Sequence, residues 1–250
     1  MRRMLLFVLA LILTVLPAAG DGQADFSVRV VSVGEGENAG APRIYIYHTH
    51  TCEAYDPSDG NTYTKTETWR TRDTACNMVR VGAELARRLQ NAGFLVCHDT
   101  TDYETPDLST AYARSLEALE KTLDDPYDLY IDLHRDSYSV GNGKNTVEKD
   151  GKSYARLLFL VGKGSGQTGM DEKPDWQRNE RIATFLSDGM NALIPDISRG
   201  VALKSGRYNQ HIAPCCLLLE VGNNQNTLTE ALLSMEPLAL SVCRYFDRLD

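Results

Sequence analysis

Two histidines and a glutamate follow directly after an apolar run near the start of the chain. The run alternates Ile and Tyr over residues 44–47, and His48, His50 and Glu53 come next. Alternation with a period of two favours a buried strand. In an open α/β sheet, ligands bind at the carboxyl edge of the strands. Because neutral imidazole is a common metal ligand, these residues are candidates for a metal site.

The same pattern occurs twice more along the chain. Residues 128–134 form a nearly continuous apolar strand that ends in His134, and the apolar run at 215–219 ends in Glu220. The strands ending at His50, His134 and Glu220 are therefore expected to place these groups along one sheet edge. Two imidazoles and one carboxylate are the ligand set of a catalytic zinc, which keeps an open position for water. A further carboxylate would serve as the general base.

The sequence offers more candidates than there are roles. His50 and His134 are the expected imidazole ligands. Glu220 is the expected catalytic base. A carboxylate that follows an apolar run is costly to bury, so it needs a charged or hydrogen-bonding partner or a functional role. Two other histidines, His98 and His211, do not end a core strand and are expected to be structural or to face the substrate.

The third ligand and the choice between the first two histidines stay open. Asp73 is the preferred carboxylate ligand because it precedes a predicted helix, whose N-terminus beside the site could reach the metal. Glu53 and Glu67 compete with it for that position. His48 competes with His50: the two share a face if the strand continues through both, but only one faces the site if the chain turns at His48.

Length and composition describe an ordinary globular chain. It has 250 residues, a net charge of −8, 42% hydrophobic and 24% charged residues, which suit one domain of generous size. The acidic balance argues against binding of nucleic acid by bulk charge. Six cysteines are present, but the spacing lacks the CxxC pairs of a structural zinc site, and no disulfide is predicted.

The first 20 residues predict a targeting segment. Arg2 and Arg3 precede a short apolar stretch that ends at Pro17, and Ala18 and Gly20 offer a small-residue cleavage site. This is the layout of a secretory signal, with retention as an N-terminal membrane anchor as the alternative. The working part of the chain is therefore expected to be extracytoplasmic, either secreted or held at the outer face of the cytoplasmic membrane.

The rest of the chain alternates strands with helices. Residues 21–41 are expected to form a linker or tether, with one possible edge strand, and 42–250 the catalytic domain. Such alternation predicts an α/β fold with a mostly parallel central sheet flanked by helices on both faces. Beyond the three strands above, the predicted elements are helices at 74–93, 109–123, 176–193 and 227–250, a strand at 94–97, an Asp-Gly hairpin at 147–154, a strand at 157–161 and a flexible connector at 162–173.

Four segments resemble the stage II sporulation protein P family. They are His48-Thr-His-Thr-Cys-Glu-Ala-Tyr55, Asp132-Leu-His-Arg-Asp-Ser137, Arg207-Tyr-Asn-Gln210 and Leu219-Glu-Val-Gly-Asn-Asn-Gln-Asn-Thr-Leu-Thr-Glu-Ala231. The resemblance spans residue 44 to the C-terminus. It implies a peptidoglycan hydrolase that depends on Zn²⁺ and has the N-acetylmuramoyl-L-alanine amidase fold. Such proteins cut the amide between muramic acid and the stem peptide, and the family is also credited with cleaving peptide cross-links.

The resemblance also implies partners and site residues. The family is membrane-anchored, faces the wall and works during engulfment with the stage II sporulation proteins D and M. The amidase pattern matches His50 and His134 as metal histidines and Glu220 as the catalytic glutamate. Its glutamate ligand precedes the first helix, where the nearest counterpart here is Asp73, so this sequence departs from the pattern.

Other functions remain as alternatives. The first is a peptidoglycan-binding module that keeps the fold but has lost catalysis, since Asp73 stands where a glutamate is expected. A zinc carboxypeptidase or endopeptidase acting on another extracellular peptide is the second, and thiol chemistry at Cys52 is the third. If the chain binds the anionic wall, it must do so by local shape and hydrogen bonding, and four residues are predicted to contact the substrate: Arg135, Asn223, Asn224 and Asn226.

Overall fold

A computed structural model describes residues 40–137, 145–165 and 174–249. The predicted signal or anchor, the tether as far as residue 39 and most of the connector at 162–173 lie outside the described residues. Those three predictions stay predictions.

Strands and helices alternate through most of the described chain. The strands are β1 (Arg43–Tyr47), β2 (Leu95–His98), β3 (Leu129–Asp136), β4 (Thr146–Lys149), β5 (Lys152–Ala155), β6 (Leu157–Gly162), β7 (Ser198–Lys204) and β8 (Cys216–Asn223). The helices are α1 (Met78–Asn91), α2 (Ala111–Glu120), α3 (Trp176–Leu193) and α4 (Leu228–Asp247).

Six strands form one central sheet in the order β2-β1-β3-β8-β6-β7. The first four run parallel, whereas β6 pairs with β8 in the antiparallel direction and β7 is parallel to β6. Strands β4 and β5 make a separate hairpin. The predicted fold class, α/β with a mostly parallel sheet, is therefore confirmed.

Side chains that alternate along the strands divide the core into two layers. Ile44 and Ile46 of β1 pack in the larger core with α1, α3 and α4, whereas Tyr45 and Tyr47 lie in a smaller core with Leu119 of α2. Successive residues of a strand point to opposite faces, so the alternation fixes which side of the sheet each residue serves. The prediction that helices cover both faces is confirmed.

Two elements differ from their predicted form. Helix α1 begins at Met78, four residues after its predicted start, and Asn77 caps it by accepting a hydrogen bond from Val79 N. Strand β7 was not among the predicted elements. Its sequence is polar because it is an edge strand, which leaves Leu203 and Lys204 exposed.

Local turn and cap signals are confirmed where the sequence made them strong. Asp150 and Gly151 both have positive φ, at 51° and 72°, as a two-residue hairpin turn requires. Thr227 and Glu230 form both hydrogen bonds of a capping box at the start of α4. The six cysteines are all free. Among the described helices, none is long and apolar enough to cross a membrane.

Candidate active site

The ends of β1, β3 and β8 meet at one edge of the sheet, where the three strands run parallel. His134 of β3 lies directly opposite Glu220 of β8 in the register. Their neighbours Leu133 and Leu219 point into the larger core, so His134 and Glu220 face the opposite side, toward α2. The register shifts between His134 and Asp136, which is the irregularity of a β-bulge.

Alternation also decides between the first two histidines. Tyr47 faces the α2 side of the sheet, so His48 points to the other side, where it is fully buried. The chain then turns at residues 49–52, which brings the His50 ring to 5.2 Å from the His134 ring, measured between centroids. The structure therefore brings His50 and His134 together, and His48 lies outside the site.

His48 is instead part of a buried imidazole pair with His98. Its Nδ1 lies 3.1 Å from Leu133 O, which can only accept, so Nδ1 carries the proton and the His48 Nε2 is an acceptor. His98 Nε2, 2.9 Å away, must then donate to it. Gly82 of α1 makes room for the pair, since a Cβ there would lie 2.4 Å from His98 Nε2. The expectation that His98 is structural agrees with this contact.

His134 is surrounded by carboxylates. Its Nε2 lies 3.0 Å from Asp132 Oδ1, and its Nδ1 lies 3.8 Å from Glu53 Oε2. Thr49 holds Asp132 through two hydrogen bonds, from its backbone N–H to Oδ1 and from its hydroxyl to Oδ2. Burial alone would lower the pKa of His134, but Asp132, Glu53 and Glu220 outweigh it and raise that pKa.

A carboxylate from another loop lies beside the His50 ring. Its Nδ1 lies 3.5 Å from Glu104 Oε1, and Arg70 forms an ion pair with the same oxygen. Burial raises the pKa of Glu104, but the contacts with His50 and Arg70 outweigh it and lower the value to about 2. Glu104 is therefore ionised. With Asp132 behind His134, each histidine has a carboxylate on one ring nitrogen, which is the arrangement that fixes metal-binding imidazoles.

The structure brings Glu53, and not Asp73, to the histidines. Asp73 is exposed, and its Oδ1 accepts a hydrogen bond from Ala75 N in the turn before α1. Glu53 is buried; the N–H of Met78 donates to its carbonyl, and its Oε2 accepts from Arg135 N. Glu53, three residues after His50, is thus the carboxylate that the structure places beside His134, whereas Asp73 as the third ligand stays a prediction. Glu67 is exposed in the loop, 3.9 Å from Arg70.

Glu220 lies on the same face with an unused carboxylate oxygen. Part of its side chain is exposed, whereas Oε2 is buried without a hydrogen-bond partner among the described residues. Burial raises the pKa of Glu220; the His134 ring opposes that rise and the charge of Glu53 adds to it. A carboxyl group with a raised pKa can exchange protons near neutral pH, as a general base and acid must.

His134 Nδ1 and Glu53 Oε2 could ligate one divalent cation together, and the His50 ring lies 5.2 Å from the His134 ring. Ligand atoms of a tetrahedral zinc lie about 3.3 Å apart, given bonds of about 2.0 Å, and His134 Nδ1 and Glu53 Oε2 are 3.8 Å apart. The buried carboxylates of Glu53 and Asp132, with Glu220 beside them, repel one another. A cation held between the two rings would relieve that repulsion.

A second group of potential ligand atoms lies nearby. Cys52, Asp102 and Glu104 place one ligand atom each within 4.8 Å of one another. Burial raises the pKa of the Cys52 thiol to about 12, Arg70 already pairs with Glu104, and Asp102 accepts hydrogen bonds from the loop backbone. Among the described residues it is the group of three such side chains that meets this distance, but its atoms are already engaged by Arg70 and by the loop backbone.

Of the residues predicted to contact substrate, Arg135 alone lies beside the ligand group. Its guanidinium donates to the carbonyls of Asp136 and Trp69, and its buried Nε has no hydrogen-bond partner among the described residues. The three asparagines are buried, Asn223 as the last residue of β8 and Asn224 and Asn226 in the turn that follows. Asn226 Oδ1 accepts from Asn223 N and Asn223 Oδ1 accepts from Gln225 N, so side chains that were expected to face substrate, those of Asn223 and Asn226, hold this turn.

Two tyrosines at the site were missed from the sequence. Tyr112 of α2 packs with its ring 5.6 Å from His50 and 6.4 Å from His134, and Tyr208 packs 6.1 Å from Tyr112. Tyr208 lies within the Arg207-Tyr-Asn-Gln210 segment singled out above, whereas no sequence signal pointed to Tyr112, and only the tertiary fold brings both to the sheet edge. Asp132 was recognisable, since it stands two residues before His134 on the same strand face.

Comparison with known families gives a match over most of the chain. The family model described as "Stage II sporulation protein P (SpoIIP)" matches residues 21–242. The stage II sporulation protein P of Bacillus subtilis (strain 168) is 31% identical over 200 residues, which are 75% of this chain and 47% of that protein. The chain thus spans about half the length of this relative.

Solved structures share the fold at low sequence identity. The CwlD amidase from Clostridioides difficile, solved in complex with the GerS lipoprotein, has a TM-score of 0.53 at 10% identity, covering 84% of this chain and 100% of that one. The N-acetylmuramoyl-L-alanine amidase AmiC2 of Nostoc punctiforme gives 0.52 at 13%, over 84% and 99%. The catalytic domain of the CD27L endolysin targeting Clostridia Difficile gives 0.50 at 18%, over 82% and 97%. These likenesses show the fold.

Proposed function

The chain belongs to the stage II sporulation protein P family, and we propose that it is a zinc-dependent peptidoglycan hydrolase. The bond cut is the amide between N-acetylmuramic acid and the L-alanine of the stem peptide. One observation carries the proposal: two imidazoles, each with a carboxylate beside one ring nitrogen, lie with Glu53 at the sheet edge where Glu220 Oε2 has no hydrogen-bond partner among the described residues. Cleavage of peptide cross-links is a further activity to test.

Four side chains divide the chemistry. His50, Glu53 and His134 would hold the metal, which when bound activates water and polarises the amide carbonyl. Glu220 takes the proton of the attacking water and returns it to the alanine nitrogen as the carbon–nitrogen bond breaks. Asp132 and Glu104 hold the two rings in the orientation that the ligand set requires.

The proposed cellular location and partners rest on the family and not on the described residues. We propose that the chain acts on peptidoglycan outside the cytoplasm, secreted or anchored through its N-terminal segment, in wall remodelling of the sporulation type. The stage II sporulation proteins D and M are proposed partners, and nucleic acid is not one.

A wall-binding module without catalysis is the competing function. The binding-module hypothesis was based on Asp73, which stands where the amidase pattern has a glutamate ligand for the metal. Glu53 supplies a carboxylate 3.8 Å from His134 without Asp73, so the feature that favoured a lost metal site no longer does so.

Zinc content and peptidoglycan digestion of the purified full chain test the proposal together. We expect about one zinc per chain and released peptides that begin with L-alanine, identified by mass. Glu220→Gln should keep the zinc and lower the rate at least ~100-fold, the typical contribution of a general base. Glu117→Gln, on the exposed face of α2, is the matched control and should behave as wild type.

Three other outcomes contradict the proposal in different ways. Wall binding with no released peptide, even after zinc is added, supports the binding module. Products cleaved elsewhere in the peptide support a carboxypeptidase or endopeptidase. Hydrolysis that survives removal of zinc but is lost in Cys52→Ala points to thiol chemistry.

A further inference from the structure

Tyr208 adopts a backbone conformation that is rare for its residue type. Its φ is 50°, and the next residue, Asn209, has φ 53°. The left-handed region costs an L-residue roughly 1 kcal/mol or more, so two adjacent cases persist only where the surroundings enforce them. Such strain clusters at functional sites, and here it lies beside the candidate active site.

Side-chain hydrogen bonds fix this segment between α2 and β6. Asn209 Nδ2 donates to Tyr112 O and to the hydroxyl of Ser115, both in α2. Gln210 Oε1 accepts from Gly162 N, and its Nε2 donates to Leu160 O, both in β6. The segment is therefore bound to two rigid elements and does not behave as a loose loop.

Two glycines let the Tyr208 ring lie close to the backbone. A Cβ at Gly162 would lie 2.8 Å from Tyr208 Cδ2, and one at Gly206 would lie 2.7 Å from Tyr208 Cε2. Any side chain at either position would push the ring away. The ring is thus held on one side by backbone and on the other by Tyr112.

Both tyrosine hydroxyls remain available. Among the residues the structure describes, neither the Tyr112 nor the Tyr208 hydroxyl has a hydrogen-bond partner, and both side chains are partly exposed. Burial raises the pKa of Tyr208, and the negative charge of Glu220 raises it further. Phenols with an ordinary pKa near 10 are donors at neutral pH.

We propose that Tyr112 and Tyr208 form a two-donor site for the acyl oxygen of the scissile amide, which gains negative charge as water attacks. The inference rests on the proposed hydrolysis. The site would take a carbonyl group between the two phenols and Glu220, on the face where Tyr112 covers His50 and His134. Fixed donors aimed at developing charge stabilise the transition state more than the ground state.

Removal of each hydroxyl with the ring retained tests the site. Tyr208→Phe and Tyr112→Phe should each lower kcat about 100-fold on peptidoglycan fragments, with KM changed less than about twofold and the zinc content unchanged. Tyr245→Phe on α4 is the matched control, since Tyr245 contacts Phe185 and Phe246 away from the site, and it should keep the wild-type kcat.

A binding measurement separates this inference from the proposed function. A phosphinate analogue of the muramoyl–alanine amide carries the tetrahedral anionic oxygen, and its affinity should fall at least ~10-fold in each Phe variant. If the wild type hydrolyses peptidoglycan and the variants match it in kcat and analogue affinity, the proposed donor site is overturned while the proposed hydrolase function is supported. A rise in KM with kcat unchanged also overturns it, because the tyrosines would then only pack against substrate. A wild type that neither hydrolyses nor binds the analogue overturns both.

Discussion

Glu104 Oε1 lies 3.5 Å from His50 Nδ1, and Arg70 binds the same carboxylate oxygen. The loop after β2 thereby supplies the outer carboxylate of a histidine that follows β1. On the other ring, Asp132 Oδ1 lies 3.0 Å from His134 Nε2. Each imidazole thus has a carboxylate beside one ring nitrogen, and the two carboxylates come from unrelated parts of the chain.

Glu104→Gln should weaken zinc binding about 10- to 100-fold, because outer carboxylates orient the metal-binding imidazole and raise its basicity. The measurement is a zinc competition titration with a chelating dye, with circular dichroism to confirm folding. Cys52→Ala is the control: the thiol belongs to the neighbouring Cys52, Asp102 and Glu104 group. An equal loss of affinity in Cys52→Ala would place the metal in that group instead.

Glu53→Gln should lower the zinc affinity by more than about 100-fold, since it removes the charged ligand that faces His134 at 3.8 Å. Asp73→Asn should keep the affinity within about twofold, because Asp73 is exposed in the turn before α1. Metal content after dialysis against a weak chelator compares the two variants. The reverse ranking would restore Asp73 as the third ligand.

Asn226→Ala should lower the free energy of unfolding by about 1–3 kcal/mol, because it leaves the buried Asn223 N–H without its acceptor. KM should change less than about twofold, in contrast to the substrate contact expected from the sequence. Urea unfolding and steady-state kinetics measure the two effects. Asn91→Ala, exposed at the end of α1, is the control. A raised KM with normal stability would show that Asn226 contacts substrate after all.

The His48–His98 pair should make the fold sensitive to mild acid. Burial beside His48 lowers the pKa of His98 to about 3, although Asp99 opposes the shift. An unfolded histidine titrates near 6.5, so the unfolded chain takes up a proton first as the pH falls. The stability from this group is fully present above about pH 6.5 and is lost toward pH 3, at no more than about 1.4 kcal/mol per pH unit.

His98→Gln tests that pH dependence, because its amide still offers His48 an N–H donor but does not titrate. Between pH 7 and pH 5, wild type should lose about 1–2 kcal/mol more unfolding free energy than the variant, measured by urea denaturation. Parallel curves for the two proteins would show that His98 is not held neutral in the fold.

The sequence by itself determined the α/β class and most element positions, and it singled out three candidate site residues. His134 and Glu220 were recognised as candidates because each follows the apolar run of a strand. Parallel strands bring their carboxyl ends to one edge of the sheet. Local signals were also sufficient to locate the start of α4, from the capping box at Thr227, and the hairpin turn at Asp150-Gly151. The sequence favoured His50 over His48, and it left open whether the chain turned between them.

Tertiary structure decided the rest of the site. Whether His48 faced the core depended on where β1 stopped, and the choice of Glu53 over Asp73 depended on the turn that follows. Glu104 and Tyr208 come from loops that leave no periodic pattern, so spacing along the chain carried no information about their position. Hydrophobic periodicity fixes elements because it records burial, whereas the pairing of polar groups across loops is set only when the sheet has assembled.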